Sequence, residues 1–267
     1  MDKILEVRNL SKVYGDECPN CFTTTGPDAK TNICAHCRSV VAAHDVTFDL
    51  HKGEILGIMG ESGSGKSTAV KCLYFDEEPS HGTAAFFDEG HKYDMFELNA
   101  AHQRRLRNHH FGMVYQNPHL GLNFNISAGG NIAERLLMSD VMDYVLIRGR
   151  ANNLLTRTEV LTERMDELPK NFSEGMQQRV QIAKALVTNP PLLLLDEVTT
   201  GLDLSVQAAI LDLILEIQQE LETAMIVVTH DLGVIRLLAG RTLVMKYGRV
   251  IEAGLTDQIL EDPQHSY

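Results

Sequence analysis

The sequence predicts an α/β fold with a largely parallel sheet, and three observations carry that reading. Short apolar runs alternate with helical patterns along the 267 residues. Two of the runs have no polar interruption, as expected of strands buried on both faces. A glycine-rich turn stands between one run and the helix that follows it.

Taken in order, residues 54–59 (Glu-Ile-Leu-Gly-Ile-Met) read as a strand, and Thr68 to Leu73 as the start of a helix. The four leucines at 192–195 and the run Met-Ile-Val-Val-Thr at 225–229 read as central strands. Between Ser205 and Glu222, Val206, Ala209, Ile210, Leu213, Ile214, Ile217 and Leu221 keep returning to one helix face. Residues 242–252 read as two short strands around Lys246-Tyr247-Gly248, a hairpin suited to a sheet edge. Two stretches depart from the alternation. Residues 16–39 are rich in Cys, Thr, Asn, Pro and Gly without either periodicity and read as an insert, while residues 117–169 read as a helical subdomain.

Composition narrows the partners. A net charge of -12 argues against a general phosphate-backbone surface, so nucleic acid is not an expected partner. No apolar run approaches the roughly 18 residues of a membrane span. The start Met1-Asp2-Lys3-Ile4-Leu5-Glu6 places acids where a signal peptide needs a basic flank. The expectation is a cytosolic chain with no direct membrane insertion, in which the five cysteines are read for metal or reactivity before disulfides.

Gly60-Glu61-Ser62-Gly63-Ser64-Gly65-Lys66-Ser67 fits G-x-x-x-x-G-K-[ST], preceded by an apolar strand and followed by a helix. Glycines let backbone N–H groups curl round a β-phosphate, and the helix offers its positive end to the anion. Lys66 would reach the β- and γ-phosphates, and the Ser67 hydroxyl would ligate Mg²⁺. Downstream, Asp196 at the end of a buried strand can reach that metal, and Glu197 beside it can polarise an attacking water.

Asn171-Phe172-Ser173-Glu174-Gly175-Met176-Gln177-Gln178-Arg179 comes first, then Asp196-Glu197, Thr200-Gly201-Leu202-Asp203 and Val228-Thr229-His230-Asp231. This ordered set resembles the ATP-binding cassette family across nearly the whole chain, 1–267. The resemblance implies a P-loop NTPase cassette, with a parallel-sheet core, an antiparallel β part, a helical subdomain and a C-terminal part over 231–267. It implies that Ser173 to Gly175 form the signature loop that binds the γ-phosphate of ATP held by a second protomer. It further implies that Gly201 to Asp203 couple the two protomers, that His230 is the switch histidine and that Gln116 senses Mg²⁺ and water. Tyr14 stands where the family places a ring against adenine, and Thr68 closes the nucleotide-binding run. The implied protein is an ATPase acting as an ATP-sandwich homodimer. Two positions depart from the family pattern: Glu174 stands where glycine is usual in the signature, and Val198 where a proline usually follows the Asp-Glu pair. A carboxylate at 174 near a triphosphate should weaken closure by repulsion.

Within the family, the phosphate loop and Asp262-Pro263-Gln264-His265-Ser266-Tyr267 resemble the dipeptide and oligopeptide importer ATPases. Ser127-Ala128-Gly129-Gly130-Asn131-Ile132-Ala133-Glu134-Arg135-Leu136 and Asp231-Leu232-Gly233-Val234-Ile235-Arg236-Leu237-Leu238 resemble more narrowly the ATP-binding subunit of the carbon-phosphorus lyase complex. That resemblance implies a dimer docked on a soluble enzyme core in phosphonate breakdown; the importer resemblance implies permease partners. A nucleotide-binding structural subunit with little turnover is a third reading. Ser266 replaces a proline usual in relatives, and the chain is expected to stop short of a further helix.

Cys18-x2-Cys21 and Cys34-x2-Cys37, twelve residues apart, have the arrangement of a zinc ribbon. The polar loop between the pairs is too short to fold without a clamp. Structural zinc is favoured, with an iron-sulfur cluster on the same ligands or unmetallated thiols as alternatives. Cys72, on the helix after the phosphate loop, reads as a small buried apolar residue.

Overall fold

The computed structural model of the chain describes residues 2–264. In order its elements are β1 (Lys3–Tyr14), β2 (Val40–His51), β3 (Ile55–Met59), α1 (Lys66–Leu73), β4 (His81–Asp88), β5 (His91–Asp94), α2 (Ala100–His109) and β6 (Phe111–Val114). Then come α3 (Pro118–Gly121), α4 (Ala128–Leu137), α5 (Tyr144–Arg157), α6 (Glu174–Leu186), β7 (Leu192–Asp196) and α7 (Leu204–Leu221). The last are β8 (Ala224–Val228), α8 (Leu232–Leu238), β9 (Arg241–Lys246), β10 (Arg249–Leu255) and α9 (Thr256–Glu261). The sequence reading of His265-Ser266-Tyr267 lies outside the described residues. Among the described residues no helix is long and apolar enough to cross a membrane.

The chain divides into two compact units, one of residues 2–103 and 224–264, the other of residues 104–223. In the first, β3 lies between β8 and β9 and runs parallel to both. The run Ile55-Leu56-Gly57-Ile58 is buried throughout because neighbours cover both faces, which explains its lack of polar alternation. β10 pairs antiparallel with β9, forming the expected hairpin around Tyr247-Gly248 at the edge.

A second sheet of this unit is antiparallel, in the order β2-β1-β4-β5. β1 and β2 are bulged: the register shifts several times, and Asn9 and Asp45 take φ of +53° and +57°. At their far ends Val13 pairs with Val41 and Tyr14 with Val40. The cysteine-rich insert leaves and returns at that pair.

The second unit holds β6 and β7 in parallel register, Phe111 opposite Leu192 through Val114 opposite Leu195. All five residues of β7 are buried, which accounts for the leucine run. α7 buries Ile210, Leu213, Ile214 and Ile217 of the stripe its spacing predicts, while Leu221 at its end is exposed. Each of its helices α4, α5, α6 and α7 starts on a side-chain cap, from Ser127, Asp143, Ser173 and Asp203.

Candidate nucleotide site and cysteine cluster

Residues 60–67 join the end of β3 to the start of α1. Gly60 and Gly65 take φ of +149° and +104°, and a Cβ on either would lie 2.2 Å from the Met245 carbonyl oxygen or 1.9 Å from that of Ala42. Only glycine lets the loop press so closely on the strands behind it. Lys66 is buried and folds back, its Nζ donating to the carbonyls of Gly60 (2.8 Å) and Glu61 (3.0 Å). Helix α1 begins at Gly65 without a side-chain cap and without an acid in its first turn, so its N–H groups and dipole are offered to an anion. The Ser64 hydroxyl is buried and lacks a hydrogen-bond partner among the described residues. A loop of this kind fits a phosphate chain, which would meet both the amides and that hydroxyl.

Two further predicted residues belong to the same unit. Tyr14 closes β1, 37% exposed, with the Lys12 ammonium 5.0 Å from its ring centroid. Burial pushes its hydroxyl pKa up, while a hydrogen bond with the Thr68 side chain works the other way. A partly open face beside α1 is what base stacking needs. His230 is exposed just past β8 and lines a cavity of about 400 Å³ together with Gly60 and Glu61. Its backbone is fixed on both sides: Thr229 N–H donates to Ile58, and Asp231 caps α8 through the amides of Gly233 and Val234.

In the second unit, Asp196 ends β7 and is buried. Glu197 follows with φ of +49°, an uncommon conformation for a non-glycine residue. Gln116 Nε2 donates to Glu197 Oε2 at 2.8 Å, so these two residues, 81 apart in sequence, meet. Ser173 accepts from Met176 N–H at the start of α6, and Glu174 is exposed in its first turn. A Cβ on Gly175 would lie 3.2 Å from the Leu202 side chain, which places residues 173–175 beside the Thr200–Asp203 turn. Asp203 accepts from Val206 N–H and from the Ser205 hydroxyl, and these two bonds hold its carboxyl below the usual range.

Sequence reasoning missed the device that positions Gln116. Gln181 of α6 accepts from the Tyr115 N–H (2.8 Å) and donates to the Tyr115 carbonyl (3.0 Å), to which Gln178 also donates. Helix α6 therefore grips the backbone next to Gln116. The signal was a pair of glutamines spaced i, i+3 on an otherwise buried helix face.

The chemistry of the insert is equally local. The four cysteine sulfurs lie within 4.8 Å of one another, with Cys18–Cys34 at 3.7 Å, Cys18–Cys21 at 3.8 Å and Cys21–Cys37 at 3.4 Å. Four thiolates around a tetrahedral Zn²⁺ with bonds of about 2.3 Å stand about 3.8 Å apart, so the donor set fits that ion. The Cys37 backbone N–H and the Thr24 hydroxyl hold the Cys34 thiol down at about 5, ready to ligate as thiolate. For Cys21 the Cys18 backbone N–H pulls down, but burial and the neighbouring Cys37 outweigh it and push the thiol up to about 12. Cys72 is buried apart from these, its thiol pushed up to about 12 by burial, as befits a small core residue.

Comparison with known proteins decides what this geometry serves. The family model described as "ABC transporter" matches residues 43–200. The chain belongs to the ABC transporter ATPase family. It is an ATP-hydrolysing cassette, similar to the putative phosphonates utilization ATP-binding protein of Escherichia coli strain K12, with 49% identity over 84% of this chain and 87% of that protein. The cassette is also similar to the oligopeptide transport ATP-binding protein OppD of Bacillus subtilis strain 168, with 38% identity over 99% of this chain and 70% of that protein. Among solved structures it resembles the dimeric post-hydrolysis state of the ATP-binding cassette MJ0796 bound to ADP and Pi, with a TM-score of 0.80, 27% identity, and coverage of 95% of this chain and 99% of that one. P-loop, antiparallel part and helical elements thus agree with the predicted fold class.

Proposed function

We propose that this cassette is the ATP-hydrolysing subunit of a carbon-phosphorus lyase complex in phosphonate breakdown, a cytoplasmic homodimer docked on a soluble enzyme core. The observation that carries it is the 49% identity to a phosphonates utilization protein, against 38% to the oligopeptide transport relative. In this reading residues 16–39 form a metal-clipped insert, 117–169 the helical subdomain that meets the partner, and 231–267 the C-terminal part.

The residue roles follow. Gly60, Glu61, Ser62, Gly63, Ser64, Gly65, Lys66, Ser67 and Thr68 receive the phosphates of ATP, and Tyr14 its adenine. Ser67, Asp196 and Gln116 hold Mg²⁺, which when bound offsets charge on the phosphate oxygens. Glu197 orients water and takes its proton; Lys66 and His230 stabilise charge on the transferred phosphoryl. Ser173, Gly175 and Asp203 act on the nucleotide of the second protomer. Those contacts exist only in the closed dimer, which gives ATP the differential affinity that a switch requires. Support comes from the dimeric cassette structures of similar fold.

Purification of the native chain tests the assignment: soluble lyase subunits are expected to accompany it. Recovery with membrane permeases and never with those subunits would overturn it in favour of an importer ATPase, the reading supported by the peptide-transport relatives. Glu174 supports a third, slow-turnover reading. Glu174→Gly is expected to raise steady-state ATP hydrolysis several-fold, about 1 kcal/mol of relieved repulsion, while losing a favourable charge at the α6 N-terminus. No gain in rate would reject repulsion as the cause.

Cys18, Cys21, Cys34 and Cys37 are proposed to hold one structural Zn²⁺, with all four positions used as ligands and none left for catalysis. Metal analysis of anaerobically purified protein is expected to find about one zinc per chain. Iron with sulfide, or no metal, would reject it. Cys18→Ser/Cys37→Ser is expected to lose the zinc and to leave the amides of residues 16–39 unprotected in hydrogen exchange.

A further inference from the structure

The insert is built into the same strands that carry the nucleotide site. Cys21 and Cys34 form one buried cluster with Val13 and Val41, against which Cys18, Phe22 and Cys37 also pack. Val13 precedes Tyr14, and Val41 precedes Ala42, whose carbonyl presses on Gly65 of the phosphate loop. Val41 N–H donates to Asn32 and Cys34 N–H to Ser39, so the insert's backbone continues that of β2. Gly15, at φ +103°, sits directly against the Ser39 side chain, whose hydroxyl donates to Asp16.

A second bridge runs beside the first. Arg249 donates to the Phe22 carbonyl, and the neighbouring Gly248 N–H donates to Ser64 of the phosphate loop at 3.0 Å. The Phe22 ring stacks on His44 of β2 with centroids 4.2 Å apart, and His44 N–H donates to Gly248. Tyr14 is the last residue of its strand. A strand end frays unless something holds it; Val13 N–H donates to the Ser80 hydroxyl, and directly past Tyr14 the chain enters the insert.

We propose that metal binding at Cys18, Cys21, Cys34 and Cys37 sets the nucleotide affinity of this cassette through the Val13–Val41 cluster and the Arg249–Phe22 bridge. The proposal rests on the reading of residues 60–67 and Tyr14 as the ATP site. Metal orders the insert; the ordered insert fixes the ends of β1 and β2; and those ends hold Tyr14 and brace Gly65. Without metal the sulfurs have no common partner, the cluster loosens, and binding ATP must also order the strand ends. Linkage makes the effect reciprocal: nucleotide must tighten the metal by the same factor.

The test compares the full-length chain loaded with Zn²⁺, stripped by a chelator and reloaded, with Mg²⁺ and a non-hydrolysable ATP analogue as the probe. Stripping is expected to weaken analogue binding by about fivefold or more. Reloading should restore it, and saturating analogue should raise Zn²⁺ affinity equally. Equal affinities within twofold, or a chain that takes up no zinc, would overturn the proposal. A zinc-loaded chain that binds no analogue would instead overturn the ATP-site reading. Should the stripped chain unfold, Phe22→Ala/Val41→Ala keeps every thiol and cuts the contacts. It is expected to retain zinc and bind the analogue several-fold more weakly, and zinc retention with unchanged analogue affinity would also sink the idea.

Discussion

Glu197→Gln is expected to leave ATP binding intact, to lower steady-state hydrolysis by about 10²–10⁴-fold, and to trap an ATP-bound dimer. The amide oxygen of glutamine can still accept from Gln116 Nε2, so the 2.8 Å contact and the local fold survive, while the group loses its ability to take a proton. Backbone conformation makes glutamine the right probe. At φ +49° residue 197 tolerates a straight side chain at modest cost, whereas valine or isoleucine would add strain and confuse loss of chemistry with loss of fold. Light scattering with ATP should report a mass twice that of the chain. A monomer under those conditions, or turnover within a few-fold of the parent, would remove Glu197 from the role proposed.

Gly65→Ala is expected to weaken nucleotide binding on the order of a hundredfold, about 2.7 kcal/mol. The new methyl would lie 1.9 Å from the Ala42 carbonyl oxygen, at a backbone φ of +104° that alanine rarely adopts. That oxygen belongs to a paired strand and cannot rotate away as a side chain could. Gly63→Ala is the control. Its φ is +79° but nothing lies within 4 Å of the added atom, so only the conformational cost of about 1–2 kcal/mol remains. Calorimetric titration with an ATP analogue separates them; equal losses at both positions would show that contact with Ala42 is irrelevant.

Much of the fold was legible because its signals are local. A phosphate loop declares itself by a strand before it, a helix after it and glycines between, and a strand covered on both faces, such as Leu192–Asp196, writes its burial as an unbroken apolar run. The antiparallel sheet was harder to read. Bulges at Asn9 and Asp45 break the two-residue period in its two longest strands, β1 and β2. Side-chain clamps left even less trace. Nothing local ties Arg249 to Phe22, 227 residues away, or Gln181 to the backbone of Tyr115, 66 residues away. Such partners meet only once the chain has folded. The four cysteines were the exception, since metal geometry restricts spacing enough to be visible without knowing what the cluster packs against.

The pairing of Tyr14 with Val40 has a consequence for how such an insert can be gained or lost. The two attachment points of a 25-residue excursion stand only one ladder rung apart, roughly 5 Å. The excursion is therefore a removable cartridge, and a two-residue turn could close the hairpin in its place. Excision would then differ in kind from emptying the metal. With a tight turn the covalent chain itself pins the strand ends, so the shortened cassette would handle nucleotide without regard to metal, its response fixed at the setting the loaded cartridge normally supplies.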